Sequence, residues 1–192
     1  ICQVTVVAPL PIVPLIQAQN WPCAVTGRYD GKSADFDFAV PIMSLPRLFS
    51  ATPANIPPSP YLRAPEPLRP KGGPLRVGLA WSGNPEQTEN GLRSISFTDL
   101  TPLLEVPGVE WYSLMVGPQS IDALVSPVTI QQKKLANYLE TANFMAGLDL
   151  IITVDTSVAN LAGALGLPAW IMLHSTPDWR WTLDCDRSPW YP

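Results

Sequence analysis

Charge is scarce in this chain. Of 192 residues only 15% are Asp, Glu, Lys or Arg, and there is a single histidine, His174. The three cysteines, Cys2, Cys23 and Cys185, stand far apart with no Cys-x-x-Cys pair. That spacing argues against a disulfide framework or a zinc site and makes a reducing, cytoplasmic setting the default. The 12 Lys and Arg form no block and the net charge is -4, which argues against a nucleic-acid backbone as main partner, because such binding rests on clustered cations. No apolar run approaches the roughly 20 residues needed to span a bilayer. The opening Ile1-Cys-Gln-Val-Thr-Val-Val-Ala-Pro9 lacks the charged start and cleavage site of a signal peptide. It reads as a strand in progress, so the chain is expected to begin inside a domain.

Hydrophobic residues, by contrast, make up 46% of the sequence, and prolines number 23. The most informative stretch runs from Leu148 to Leu173. Leu150 to Val154 is a continuous apolar run rich in β-branched residues, expected as a strand buried on both faces of a parallel sheet. Asp155-Thr156-Ser157 supplies N-cap chemistry, and Val158, Leu161, Ala162 and Leu165 follow at helical spacing before Gly166 and Pro168 stop the helix. Ala169 to Leu173 is expected as a second buried strand. This is a βαβ unit whose turn presents a helix N-terminus, with Thr156 and Ser157 hydroxyls beside it. Small Ala159, Ala162 and Gly163 would let the helix lie close on its sheet. A diphosphate site is one reading; a purely structural cap is the other.

Upstream, Val4–Ala8, Ala24–Thr26 and Phe36–Ile42 read as strands, Leu10–Gln19 as a helix shortened by Pro11 and Pro14, and Ser44-Leu-Pro46 as a helix start. Residues 51–74 are too proline-rich for helix or interior strand and read as an extended linker, with Tyr61-Leu62 as its docking point. Next come a strand, Leu75–Trp81, a turn, Ser82-Gly83-Asn84-Pro85, and a polar loop, Glu86–Ser96. A helix (Phe97–Glu105), a strand (Val109–Val116), a weak strand (Val128–Ile130) and a helix (Asn137–Leu148) complete the series. Alternating strands and helices predict a parallel sheet covered on both faces.

In the common doubly wound order, the strands ending at Trp81 and Val154 are neighbours where winding reverses, and the ligand crevice lies there. Ser82, Gly83 and Asn84 would then share a cavity with Asp155, Thr156 and Ser157. Arg93, at the end of the first loop, is a candidate for two-point contact with phosphate, or else a solvated surface arginine. In the last segment, Asp178 and Trp179 belong to an aromatic cluster, Pro177-Asp-Trp-Arg-Trp181 through Trp190-Tyr191. It is fit either to wall a sugar or planar ring or to pack a tail on the domain.

The motifs Gly78-Leu-Ala-Trp-Ser-Gly-Asn-Pro85, Arg93-Ser94, Asp149 to Ser157, Leu161-Ala-Gly-Ala-Leu-Gly166 and Pro177-Asp-Trp-Arg-Trp181 together carry a resemblance. It extends to Pro41-Ile-Met-Ser-Leu-Pro46 and Pro60-Tyr-Leu-Arg63 and so covers nearly the whole chain. The chain resembles the glycosyltransferase portion of bacterial tetratricopeptide-repeat proteins, related to the heptosyltransferase-like (family 9) glycosyltransferases. The resemblance implies an α/β, GT-B-like architecture of two Rossmann-like domains with parallel sheets. Residues 1–50 would be an incomplete N-terminal domain, 51–74 the linker and 75–192 the nucleotide-sugar-binding domain.

It also implies sugar transfer from a nucleotide-diphosphate donor to a hydroxyl acceptor (glycan, lipid precursor or protein), with neither metal nor cofactor. Arg93, Asp155, Thr156, Ser157 and Asn160 would hold the diphosphate; Ser82, Gly83, Asn84, Asp178 and Trp179 would line the donor cleft. Asp35-Phe-Asp37 has metal-motif spacing but lies far from that cleft in sequence order. Relatives often carry His where this chain has Asn160, which cannot hold a positive charge. The general base, the glycine-rich first loop and the tetratricopeptide repeats would precede Ile1, and the closing helix of the fold would follow Pro192. A non-catalytic nucleotide-binding or scaffold module is the alternative. A nucleotide-sugar epimerase would need more acid/base residues than His174 and Asp178.

Overall fold

A computed structural model describes residues 3–29, 36–52, 54–57, 59–66, 73–117, 127–131, 135–183, 187–188 and 190–191. The chain opens with β1 (Thr5–Val7), α1 (Val13–Gln17) and β2 (Ala24–Thr26), the strands pairing in parallel from Thr5↔Ala24 to Val7↔Thr26. Pro14 sits in the first turn of α1, where its missing N–H costs nothing, and the helix is confined to five residues.

The strand expected at Phe36–Ile42 does not form. Residues 36–41 carry no regular structure, and Ile42–Ser44 is a 3-10 turn leading into α2 (Leu45–Leu48). A strand needs a ladder partner, and here Phe38 is 91% exposed. Pro41, moreover, has no N–H to offer a ladder. Ser44 occupies the N-cap of α2 but makes no capping bond, because the preceding turn already places it in helical geometry. Asp35, Cys2 and Cys185 lie outside the described residues; Cys23 is a free thiol.

Beyond the proline-rich segment follow β3 (Leu75–Ala80), α3 (Asn90–Arg93), α4 (Thr101–Leu104), β4 (Val109–Ser113) and β5 (Thr129–Ile130). The last elements are α5 (Tyr138–Met145), β6 (Leu150–Val154), α6 (Ser157–Leu165) and β7 (Ala169–Met172). Three expectations are refined. The Glu86–Ser96 loop contains the one-turn α3, the Phe97–Glu105 helix is a 3-10 turn followed by α4, and the Val109–Val116 strand stops at Ser113.

All five strands β3–β7 are parallel, in the spatial order β5-β4-β3-β6-β7. Counting from β3 this is 3-2-1-4-5, the doubly wound order, with the reversal between β3 and β6. These central strands are dry: Val77, Leu79, Ala80 and Ile151 to Val154 are at most 4% exposed. The β7 strand, expected to be buried, is instead an edge among the described residues, with Trp170 65% exposed.

Helix α5 is capped by Asn137, whose Oδ1 accepts from the Leu139 and Glu140 amides at 2.9 and 3.0 Å. Helix α6 ends at Gly166 in the left-handed conformation (φ 68°), which a side chain would strain. Ala159 and Ala162 are buried against the sheet, as their size predicts. Gly163, one turn on from Ala159, is half-buried and leaves room for the Tyr191 ring.

The proline-rich segment holds no helix or strand among its described residues and docks where expected. The Tyr61 and Leu62 amides both donate to the Ala164 carbonyl of α6, at 3.1 and 3.0 Å. Gln19 brackets Arg63 with two bonds of 2.8 and 3.1 Å, and the Glu66 amide donates to the Asn143 side chain of α5 at 3.2 Å. Leu15 of α1 is buried in the same core as the five-stranded sheet, and the Tyr138 amide donates to the Pro11 carbonyl at 3.0 Å. No helix among the described residues is long and apolar enough to cross a membrane.

Candidate functional site

The two central strands stop side by side and release two polar connections into one crevice. After β3, Trp81 is buried and anchors the loop: its carbonyl accepts the Ile95 amide at 2.8 Å, closing residues 82–94 into a flap. Asn84 folds the flap by accepting the Glu86 amide on its side chain at 3.0 Å. Ser82 Oγ lies 3.0 Å from Ser94 Oγ and accepts from Asn90 Nδ2 at 3.3 Å. Gly83 has to be small, since a Cβ there would stand 2.6 Å from Asn90 Oδ1 and 3.3 Å from Arg93 Nε.

Arg93 is therefore pressed over the β3 end and points across to β6, donating from Nη1 to the Asp155 carbonyl at 3.4 Å. Its Nε is buried and has no hydrogen-bond partner, and among the described residues it forms no ion pair. It is a fixed cation awaiting an acceptor.

On the other side, Thr156 is the N-cap of α6, its Oγ1 accepting the Val158 amide at 3.2 Å and lying 3.3 Å from Thr153 Oγ1. First-turn N–H groups point out of a helix N-terminus and carry its positive dipole end. Ser157 is exposed at that turn. Asp155 is only 8% exposed, and its carboxylate has no hydrogen-bond or ion-pair partner among the described residues.

A cleft of about 970 Å³ gathers Ser82, Gly83, Asn84, Arg93, Asp155, Thr156, Ser157 and Asn160. The sequence placed all eight together, and they are together. Asn160 is partly occupied, however: its Nδ2 donates to the Thr156 carbonyl at 3.1 Å and its Oδ1 accepts from the Tyr191 hydroxyl at 3.0 Å. One amide hydrogen remains for the cleft. Tyr191 is pinned against α6 at Gly163, and burial together with the neighbouring Tyr61 hydroxyl pushes its phenol well above the ordinary range.

Asp178 and Trp179 are not in that cleft. They line a second pocket of about 660 Å³, which meets the first at Gln87, Arg93 and Asp155. The reason is local folding after β7. Asp178 Oδ1 accepts from Arg180 Nε at 2.8 Å and from the Arg180 amide at 3.0 Å, a tight turn that sends Arg180 back to the main cleft and Trp179 outward. Partial burial works upward on the Asp178 pKa, but the Arg180 amide and guanidinium outweigh it and hold the carboxyl below its usual range. A lowered folded-state pKa means that this clasp contributes stability above the unfolded carboxyl's pKa and loses it only as pH falls through the lower folded value.

The aromatic cluster divides the two roles read from sequence. Trp181 is buried and packs near Tyr191, centroids 6.1 Å apart, whereas Trp179 is 68% exposed and meets Trp190 edge-on at 5.4 Å. His174 lines the second pocket, its Nδ1 accepting from the Thr176 amide at 3.2 Å.

Sequence reasoning missed Arg180 and the apolar side of the main cleft, Leu114, Met115, Val116 and Leu135. Arg180 could have been flagged by its place in Asp-Trp-Arg-Trp. The apolar wall follows a strand end that has no polar signature.

No protein-family model matches the chain, and no solved structure matches it. Among curated proteins it is similar to Protein FlbA of Caulobacter vibrioides, at 27% identity over 185 residues. The match takes in 91% of this chain but 30% of FlbA, so the chain spans less than a third of the length of the curated relative it matches.

Proposed function

We propose that this chain carries the donor-binding half of a glycosyltransferase that moves a sugar from a nucleotide diphosphate to a hydroxyl acceptor by a metal-independent GT-B mechanism. The observation that carries the reading is Arg93: an unpaired, partly buried cation held across the strand-order reversal, facing the N-terminus of α6. A diphosphate in that gap would receive the guanidinium on one side and the Thr156–Ser157 turn on the other. Leu114, Met115 and Val116 form an apolar wall on the β4 side, suited to a nucleobase.

In transfer, the acceptor oxygen bonds to the anomeric carbon as the bond from that carbon to the phosphate oxygen breaks. Negative charge then gathers on the leaving diphosphate, where the helix end and Arg93 stabilise it. The acceptor proton passes to a general base, for which this reading names no residue of the donor cleft. On this reading residues 1–50 belong to the acceptor-side domain, 51–74 link it to the donor domain at 75–192, and the full protein is cytoplasmic and bears tetratricopeptide repeats.

Titration calorimetry with UDP, GDP and ADP tests the reading. One nucleotide should bind, and Arg93→Ala and Thr156→Ala should each weaken it by about 1.5–3 kcal/mol, tenfold or more. Failure of all three to bind the full-length protein sinks the donor site. One observation favours a nucleotide-binding or scaffold module without turnover: Asn160 is tied to Tyr191 in place of offering a cation. That module would bind nucleotide yet show no sugar release from the full-length protein.

A further inference from the structure

The second pocket is chemically unlike the first. Its lining includes three carboxylate residues, Glu89, Asp155 and Asp178, against one cation, Arg93, which it shares with the main cleft. Asp178 is neutralised by Arg180 through the 2.8 Å pair, but Asp155 is 8% exposed and its carboxylate has no partner among the described residues. The Asp155 oxygens still reach solvent at the pocket wall, where an unpaired carboxylate repels a phosphate and is well placed to accept from hydroxyl donors. Trp179 adds a broad exposed aromatic face, held edge-on by Trp190. His174 adds a fixed ring: with Nδ1 accepting from the Thr176 amide, the neutral imidazole carries its proton on Nε2 as a donor. An aromatic face flanked by hydrogen-bonding carboxylates and a donor is the chemistry of a pyranose ring, apolar on its C–H face and polar at its rim.

We infer that this pocket is the glycosyl subsite and that it takes a sugar bearing no negative charge, a neutral or amino hexose, in preference to a uronic or sialic acid. The inference rests on reading the main cleft as the nucleoside-diphosphate site. It gives that site a direction: base toward Leu114–Val116, diphosphate at Arg93 and α6, sugar toward Trp179. An acidic sugar would bring a carboxylate against Asp155 and Glu89, while Arg93 is engaged by the diphosphate and Arg180 by Asp178.

The test uses the full-length protein and the nucleotide that binds it in calorimetry, comparing the bare diphosphate with its neutral and uronic sugar forms, for example UDP, UDP-glucose and UDP-glucuronate, or GDP, GDP-mannose and GDP-mannuronate. The neutral sugar should tighten binding about threefold to tenfold, the uronate should not, and Trp179→Ala should erase the gain. Because Trp179 is exposed, that variant should fold. Asp155→Asn should narrow the gap between neutral and acidic sugars. Equal or tighter binding of the uronate, or a sugar gain that survives Trp179→Ala, overturns the inference while leaving the nucleotide site standing. No binding of any nucleotide overturns both.

Discussion

At the scale of single residues, the site depends on which polar atoms are left without partners. Arg93 and Asp155 stand out because their neighbours satisfy one another: Ser82 with Ser94, Asp178 with Arg180, Asn160 with Tyr191. Tyr191 yields a direct prediction. Its hydroxyl donates to Asn160 Oδ1, so Tyr191→Phe leaves that oxygen without its donor and should cost about 1–2 kcal/mol in urea unfolding near pH 8. The phenol's pKa is raised in the folded protein, so its contribution is complete below the unfolded value of about 10 and falls as pH climbs past it. The gap between wild type and variant should therefore narrow in alkali; a gap that widens there would contradict the burial of this hydroxyl. Little of this was legible beforehand. Arg93 was nominated by its place after a turn, but its placement depends on Gly83 and on the Asp155 carbonyl it donates to, 62 positions away. The tie between Tyr191 and Asn160 spans 31 positions and has no local signature.

At the scale of elements, α6 explains why some readings held and others did not. Leu150–Val154, a cap within Asp155-Thr156-Ser157 and the stop at Gly166 are local chemistry, and the structure bears them out, with Thr156 as the N-cap. The room left at Gly163 is filled by a tail packing from elsewhere, for which there is no local signal. Phe36–Ile42 failed because its residues suit a strand but none of the described residues offers it a ladder. Gly163→Ala separates propensity from packing. Alanine favours an isolated helix by about 1 kcal/mol, but its Cβ would run into the Tyr191 ring, and overpacking costs about 1–3 kcal/mol. The variant should melt lower and lose near-ultraviolet aromatic signal as the tail shifts. A higher melting temperature would show that Tyr191 is not seated there.

At the scale of the whole molecule, three chain segments converge on α5 and α6: α1 through Leu15 and Pro11, the proline-rich segment through Tyr61, Leu62 and Glu66, and the tail through Tyr191. Alternation of strands and helices predicted a parallel sheet; the doubly wound order, taken as the common case, is the one observed, and it is what brings Arg93 to the α6 terminus. The division of the cleft into two pockets was not predictable, because it follows from a single tight turn at Asp178.

The isolation of Arg93 also bears on how fast an anion arrives. The chain as a whole carries a net charge of -4, so at long range it repels a nucleotide that Arg93 attracts at contact. Dissolved salt screens the distant repulsion within about 10 Å at 0.1 M, and a partly buried contact much less. Stopped-flow mixing should thus find association accelerating as ionic strength rises, the reverse of electrostatic steering, with the departure rate nearly constant. Slower association in salt would mean that the field at the cleft mouth is positive, and that cations beyond Arg93 guide the ligand in.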